Sequence, residues 1–544
     1  MSPSTRLSTA ALTCAVIGLT GLTVLTGGAT AAGPATGQSP AQPYDVIIRN
    51  GRVLDGDGNP WFRADVGIRG DRIAAVGDLH GARAAREIDA SGLYVAPGFI
   101  DTHTHYGPGL ATAALAPAQP QLAEGITTAF VNPDGGGSLD IAAQRLALQK
   151  AGIAINVGQM VPHGTVREAV LGQADRHPSA AELDRMRALV RTGMQEGAWG
   201  LSSGPFYVPQ TYADTQEFVE MAKVAAGFGG MYQSHIRDES NYNIGVLAGV
   251  EEVITVAREA RLPSIVTHIK AMGPDVAGFS TAIALRIERA RAEGLEVWAD
   301  QYPYTASSTS LSAALMPAWA SAGGTAELRK RLADPPTRAR IRTEMAGNLK
   351  RRGGATKMQF RRYAQDPSIE GRTLDAVARD RNLDPLDFAL SVFERGDIGI
   401  VSFAIEEADM RLFLQKPWVM TASDGDLVPF GQGVPHPRAY GTFPRKIQRF
   451  AVDEAVITLE YAIRSMTTLP ARVFRIPDRG EIRPGAMADV VVFDLSRVKD
   501  RATFSEPHQL SEGMVHVFVN GKAAVSDGKF TSERAGRVLR RDGK

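Results

Sequence analysis

The chain has 544 residues, a length that allows two to four domains, and its 60 Lys and Arg against 59 Asp and Glu leave a formal charge of +1. That balance, without any long basic run interleaved with aromatics, argues against a nucleic-acid partner. The single cysteine, Cys14, excludes a disulfide, so stability must come from packing.

Residues 1–31 combine one early arginine, an apolar stretch from about Ala10 to Leu25, and the small residues Ala29, Thr30 and Ala31 that suit a signal peptidase. They read as an export signal cleaved near Ala31, which would make the protein secreted or extracytoplasmic, with no stable membrane insertion of the mature chain. An uncleaved anchor is the rival reading; the glycines and threonines of the stretch disfavour it. Cys14 falls inside the signal, too early to serve as a lipid anchor, so the mature chain would have no thiolate ligand or nucleophile. Residues 32–43, rich in Ala, Gly, Pro and Gln, read as a flexible leader.

From Tyr44 the pattern changes to short or alternating apolar runs, YDVIIRNGRVLDGDG and then ADVGIRGDRIAAVGD, broken at Asn-Gly, Asp-Gly and Arg-Gly-Asp. These are strand and hairpin signals. The same vocabulary returns near the C-terminus in ADVVVFD and MVHVFVNGKAAVSDGKF. Residues 44–96 and 481–544 are therefore expected to build one small composite β-sandwich domain from both ends of the chain, because neither has enough strands to bury an apolar face alone.

Across residues 97–480 short apolar segments alternate with charged amphipathic ones. AGIAINVGQ precedes ELDRMRALVRTGMQEG, GFGGMYQSHIRDE precedes GVLAGVEEVITVAREA, and LPSIVTHIK precedes AIALRIERARAEG. Each pair reads as strand then helix, the unit of a parallel α/β fold. A (β/α)8 barrel is the expected core, with its chemistry at the C-terminal ends of the strands. The charged stretch 325–354 reads as solvent-facing helix.

Four histidines follow β-prone segments in this region: His103 and His105 in FIDTHTH, His235 in MYQSHIRDES and His268 in SIVTHIK. Residues i and i+2 of a strand face the same side, so His103 and His105 can aim two imidazoles at one point, and His235 and His268 can complete a cage from other strands. Asp424 in TASDGD follows another apolar segment and can accept a proton from water activated by a metal. Asp134 in VNPDGGGS reads either as a carboxylate ligand, bridging or terminal, or as a plain Asp-Gly turn. Arg237 has acidic neighbours, Asp238 and Glu239, and reads as structural or as a support behind the ligands.

The joint order of VAPGFIDTHTHYG, EGITTAFVNPDG, GLSSGPFYVP, YQSHIRDES, THIK, DQYPYTASST, SDGD and HPRAYGTFPR, with ADVVVFD and ATFSEPHQLSEG behind them, resembles the D-aminoacylase (N-acyl-D-amino-acid deacylase) family of the amidohydrolase superfamily. The likeness runs from about Tyr44 to Gly528. It implies one or two Zn2+ ions per chain, His103 and His105 at one metal position, His235 and His268 at the other, and Asp424 as the acid/base. Familiar members place a cysteine where this chain has Asp134, a harder ligand that keeps the position while altering affinity. The resemblance also implicates Lys270, Tyr302, Tyr304, Ser307 and Arg438 in holding the substrate carboxylate, a role that suits their donors. The implied reaction is hydrolysis of N-acyl-D-amino acids, a small-molecule substrate. The rivals are a cyclic amidase of the dihydroorotase or hydantoinase kind, a dipeptidase acting on D-residues, and a non-catalytic secreted binding protein. Oligomeric state is not legible.

Overall fold

The computed structural model describes residues 43–541; the expected export signal, and the leader through residue 42, lie outside the described residues. The two ends of the chain meet in one hydrogen-bonded sheet of nine strands. Its junction is antiparallel pairing of Val490–Phe493 with Tyr94–Pro97, which joins the N-terminal strands to the C-terminal hairpins. Period-two alternation explains how one strand serves two cores. Val490 and Val492 pack with Val46, Ile48, Val66, Ile68 and Phe518, whereas Val491 and Phe493 turn to Tyr94, Ala96, Val517 and Val519. Each such valine or phenylalanine, fully buried, contributes roughly 1.5–3 kcal/mol.

The two Asn-Gly signals have different outcomes. Asn520 and Gly521, at φ of +48° and +78°, make the two-residue turn between Met514–Val519 and Lys522–Ser526. Asn50-Gly51 instead forms a bulge inside one continuous strand, Tyr44–Val53. The reason is packing: a Cβ on Gly51 would lie 2.5 Å from Val95 Cγ2, so glycine there admits the neighbouring strand.

Eight parallel strands form the barrel: Phe99–Asp101, Ile126–Val131, Asn156–Gln159 continued by Val161–Pro162, Gly200–Ser203, Met231–Ser234, Ser264–Val266, Val297–Gln301 and Val419–Thr421. The ring closes just past the last strand, where Asp424 N donates to His103 O at 2.9 Å and His105 N to Gly425 O at 2.9 Å. The three predicted amphipathic segments become the outer helices Ala180–Gln195, Val246–Ala260 and Ser280–Ala292. Ser179 and Glu182 form a reciprocal capping box at the first of these. No described helix is long and apolar enough to cross a membrane.

Between the last two barrel strands the chain builds an additional lobe that the sequence reading left inside the barrel. Ser307–Ser310, Gly399–Ser402 and Met358–Phe360 make an antiparallel sheet. Helices close over a separate core containing Leu311, Leu315, Ile341, Met345, Phe360 and Phe388. The stretch expected to be solvent-facing splits at Asp334-Pro335 into Thr325–Ala333 and Pro335–Arg351, burying Leu332, Ile341 and Met345. Its exposed face is charged as expected, but Arg352, the residue that caps the second helix, is only 2% exposed and reaches the central cavity.

Candidate metal centre

Every histidine and aspartate picked out from the sequence for metal chemistry sits just beyond the C-terminal end of a barrel strand. His103 and His105 follow the first strand, Asp134 the second, His235 the fifth, His268 the sixth and Asp424 the eighth. Three of these positions have left-handed backbone: Asp134 at φ +55°, His268 at +36° and Asp424 at +50°. Asp, Asn and His tolerate that region better than most side chains, and the strain is offset by fixed backbone contacts. Below them, Asp300 accepts from His268 N at 2.5 Å and from Thr102 Oγ1 at 3.0 Å, while Asp101 accepts from Ser423 N at 2.9 Å and Tyr106 OH at 3.0 Å. Burial pushes the Asp101 carboxyl up to about 7.

The side chains converge on Asp134. Its Oδ1 lies 3.2 Å from His103 Nε2, 3.5 Å from His268 Nε2 and 3.9 Å from His235 Nδ1, and its Oδ2 lies 3.4 Å from His105 Nε2. Asp424 Oδ1 is 3.2 Å from His105 Nε2 and 3.7 Å from His103 Nε2. Two ligand groups result, His103/His105/Asp134/Asp424 and Asp134/His235/His268, each with its donor atoms within 4.8 Å of one another. Asp134 belongs to both, the place a carboxylate takes when it serves two metal positions.

These residues fit a metal on their own hydrogen bonding. Both ring nitrogens of His103, both of His235 and Asp134 Oδ1 are buried with no hydrogen-bond partner. Each such orphan costs about 1–3 kcal/mol in a buried site, and a cation that accepts N and O donors, as zinc does, would satisfy one nitrogen of each ring together with Asp134 Oδ1. Burial pulls His235 down to about 3, holding it neutral as a ligand must be. Burial and Lys270 oppose charge on His268, yet Asp424, Asp134 and Glu239 push it up to about 9. His105 likewise rises to about 9, because Asp134 and Asp424 outweigh burial. Burial opposes ionisation of Asp424, but the Arg438 guanidinium, with Nη1 2.7 Å from Oδ2, holds the carboxyl well below its usual range.

The expected carboxylate-binding residues divide. Lys270, Tyr302 and Ser307 line a cavity of about 400 Å³ that opens on the metal centre. Tyr304 does not: its hydroxyl donates to Asp500 Oδ2 at 3.1 Å and its ring packs on His436 and Phe504, so the substrate role expected for it is withdrawn. The strand ends at Gln301 and the chain turns, with Tyr304 N bonded to Tyr302 O; both rings pack against His436, but only Tyr302 lines the cavity. Arg438 also stands outside the cavity lining, over the Tyr302 ring, with a carboxylate of the protein's own, Asp424, as its partner.

Three participants had no signal in the sequence. Glu239 turns away from Arg237, which pairs with Glu252 instead, and contacts both Lys270 Nζ and, at 3.2 Å, His268 Nδ1. A carboxylate on the far nitrogen of a metal-binding imidazole fixes its ring orientation. Arg361 from the additional lobe reaches Asp426 and, at 2.7 Å, Ser308 Oγ on the cavity wall. Gln210 holds the Asp134 peptide: its Nε2 donates to Asp134 O at 2.8 Å and its Oε1 accepts from Gly204 N at 2.7 Å. His163 Nδ1 lies 3.2 Å from the same Oε1, and Glu217 and Arg167 complete the buried chain behind it. Gln210→Leu should therefore preserve the fold while weakening zinc binding about 10–100-fold, the cost of losing an outer partner of a ligand. Competition with a chelator measures this, and unchanged affinity would remove Gln210 from the support of Asp134.

Known proteins agree with this geometry. The amidohydrolase family profile matches residues 86–525. A D-aminoacylase of Alcaligenes xylosoxydans xylosoxydans is 35% identical over 93% of this chain and 99% of its own length, and an N-acyl-D-glutamate deacylase of the same organism is 37% identical over 92% and 97%. The solved N-acyl-D-glutamate deacylase of Bordetella bronchiseptica, complexed with zinc and a phosphonate inhibitor, superposes with a TM-score of 0.78 at 34% identity, covering 92% of this chain and all of that one. With its barrel, its composite sheet and its shared-carboxylate metal centre, the chain belongs to the D-aminoacylase (N-acyl-D-amino-acid deacylase) family of the amidohydrolase superfamily.

Proposed function

We propose that this protein hydrolyses the amide bond of N-acyl-D-amino acids, releasing a carboxylate and a free D-amino acid, with zinc held by His103, His105, Asp134, His235 and His268. The observation that carries the reading is the pair of ligand groups joined at Asp134 beside an ionised Asp424, at the mouth of a cavity lined by Lys270 and Tyr302. The relatives' named activities supply the D-configuration and the linear amide.

Zinc, when bound, supplies Lewis acidity toward the acyl carbonyl oxygen and toward water. The protein's own groups do the rest. Arg438 keeps Asp424 charged and fixes Oδ2, so that Oδ1, which faces His105 and His103, is the oxygen that takes a proton from the attacking water. As the water oxygen joins the acyl carbon and the C–N bond breaks, Asp424 Oδ1 returns that proton to the amine nitrogen. Lys270, restrained by Glu239 and close to the Tyr302 ring, orients the substrate carboxylate by charge.

A panel of N-acetyl-D-amino acids with L-enantiomer controls, assayed before and after chelation and after zinc is restored, tests the reading. Amine release should be confined to D-substrates, disappear on chelation and return with zinc. Turnover that survives complete metal removal, or that favours L-substrates, would overturn it.

A further inference from the structure

Arginine cannot shed its charge at any working pH, so a buried guanidinium needs an anion or pays for its isolation. Among the described residues five arginines are buried: Arg167, Arg237, Arg352, Arg438 and Arg479. Four have a carboxylate of the protein within ion-pair distance, respectively Glu217, Glu252, Asp424 and Asp489. Arg352 has none. Its Nε donates to Tyr242 OH at 2.6 Å, its Nη1 contacts Met272 Sδ at 3.0 Å, and its guanidinium faces the edge-to-face ring pair of Phe206 and Tyr242, 5.9 Å and 5.6 Å from their centroids.

Its location indicates which anion it would meet. Arg352 lines the catalytic cavity, where the other lysine and arginine side chains of the wall are already answered, Lys270 by Glu239 and Arg361 by Asp426. Phe206, the ring Arg352 faces, also contacts the metal centre, its centroid 5.4 Å from that of the His235 ring. Lys446 makes an instructive contrast. It is buried with only the hydroxyls of Thr421 and Ser465 for partners, but burial lowers it to about 7, so it can discard its charge, and it does not face the cavity. Arg352 has no such escape.

We propose that Arg352 is a specificity-determining residue that binds a second carboxylate of the substrate, the one on the D-amino acid's side chain, so that acidic N-acyl-D-amino acids are the preferred class. This rests on the deacylase reading above, in which Lys270 and Tyr302 take the α-carboxylate. Arg352 is contributed by the end of a lobe helix, so the lobe, rather than the barrel, supplies the discrimination.

The test compares N-acetyl-D-glutamate with its neutral isostere N-acetyl-D-glutamine, and N-acetyl-D-aspartate with N-acetyl-D-asparagine, reading the acid-to-amide ratio of kcat/KM. In the wild-type enzyme the ratio should be on the order of 10 to 100, the range of a charge-assisted hydrogen bond. In Arg352→Met it should collapse to about one. Arg352→Lys, which keeps the charge without the planar fork, should fall between, and it gives the reading if the methionine variant does not fold. A wild-type ratio at or below one, or a ratio unchanged in both variants, overturns the assignment. Turnover of neutral N-acyl-D-amino acids in that case leaves the deacylase reading standing, whereas no turnover of any member of the panel by zinc-loaded enzyme would overturn that reading itself.

Discussion

Asp424→Asn should lower kcat on the order of 10²-fold or more while zinc stays bound, because the substitution keeps the shape of the side chain and removes its ability to take a proton. The backbone permits the exchange: φ is +50° at this position, a region asparagine adopts readily, and the bond from its N–H to His103 O does not involve the side chain. The cost falls on Arg438. Its guanidinium, 5% exposed, loses the carboxylate 2.7 Å away, and breaking a buried pair from one side costs about 3–5 kcal/mol. A lower melting temperature is thus expected alongside the lower turnover, and the two must be separated. Asp424→Asn combined with Arg438→Met removes the orphaned charge, so it should recover melting temperature without recovering kcat. Zinc content, kcat and melting temperature measured on one preparation of each variant distinguish a proton carrier from a turn residue. A zinc-replete Asp424→Asn enzyme with near-normal kcat would rule out the shuttle.

The metal centre was legible in the sequence because its chemistry is carried by local patterns. Strand-end histidines need only a β-prone run before them and a two-residue spacing, both visible in FIDTHTH, and the structure brings His103 and His105 together although the strand itself stops at Asp101. The composite sheet was legible for the same reason, since the alternation of Val490–Phe493 is a period written in the residues. What failed were contacts between distant segments. Nothing near Tyr304 announces Asp500, and nothing near Arg438 announces Asp424 as its partner. The resemblance implicated Tyr304 together with Tyr302, but both lie beyond the end of the strand, where alternate residues no longer share a face, and only Tyr302 lines the cavity. Glu239 was read beside Arg237 because they are neighbours in sequence, whereas the fold pairs Arg237 with Glu252 one helix later. The additional lobe escaped notice because its helices are amphipathic and charged like those that pack outside the barrel; only its separate core distinguishes it.

Asp134 is the residue whose removal should damage the metal centre most, since it alone is shared by both ligand groups. Asp134→Ala deletes one donor from each group and leaves the imidazoles of His103, His105, His235 and His268 around a gap. Zinc affinity should fall by more than the roughly 10–100-fold that loss of an outer partner costs, and turnover should fall with it. Asp134→Cys separates the ligand reading from the turn reading. A thiolate binds zinc at about 2.3 Å and is among its preferred ligands, so this variant should hold zinc far better than the alanine variant. It should still pay for the φ of +55°, which cysteine tolerates less well than aspartate, and Gln210 will hold the peptide in that conformation regardless. If Asp134 only shapes the Asp-Gly turn, alanine and cysteine should be equivalent, both binding zinc normally and differing from the parent only in melting temperature. Zinc stoichiometry and chelator competition decide this without any activity assay: equal, wild-type affinity in both variants would remove Asp134 from the metal centre and leave the four histidines to hold zinc without a shared carboxylate.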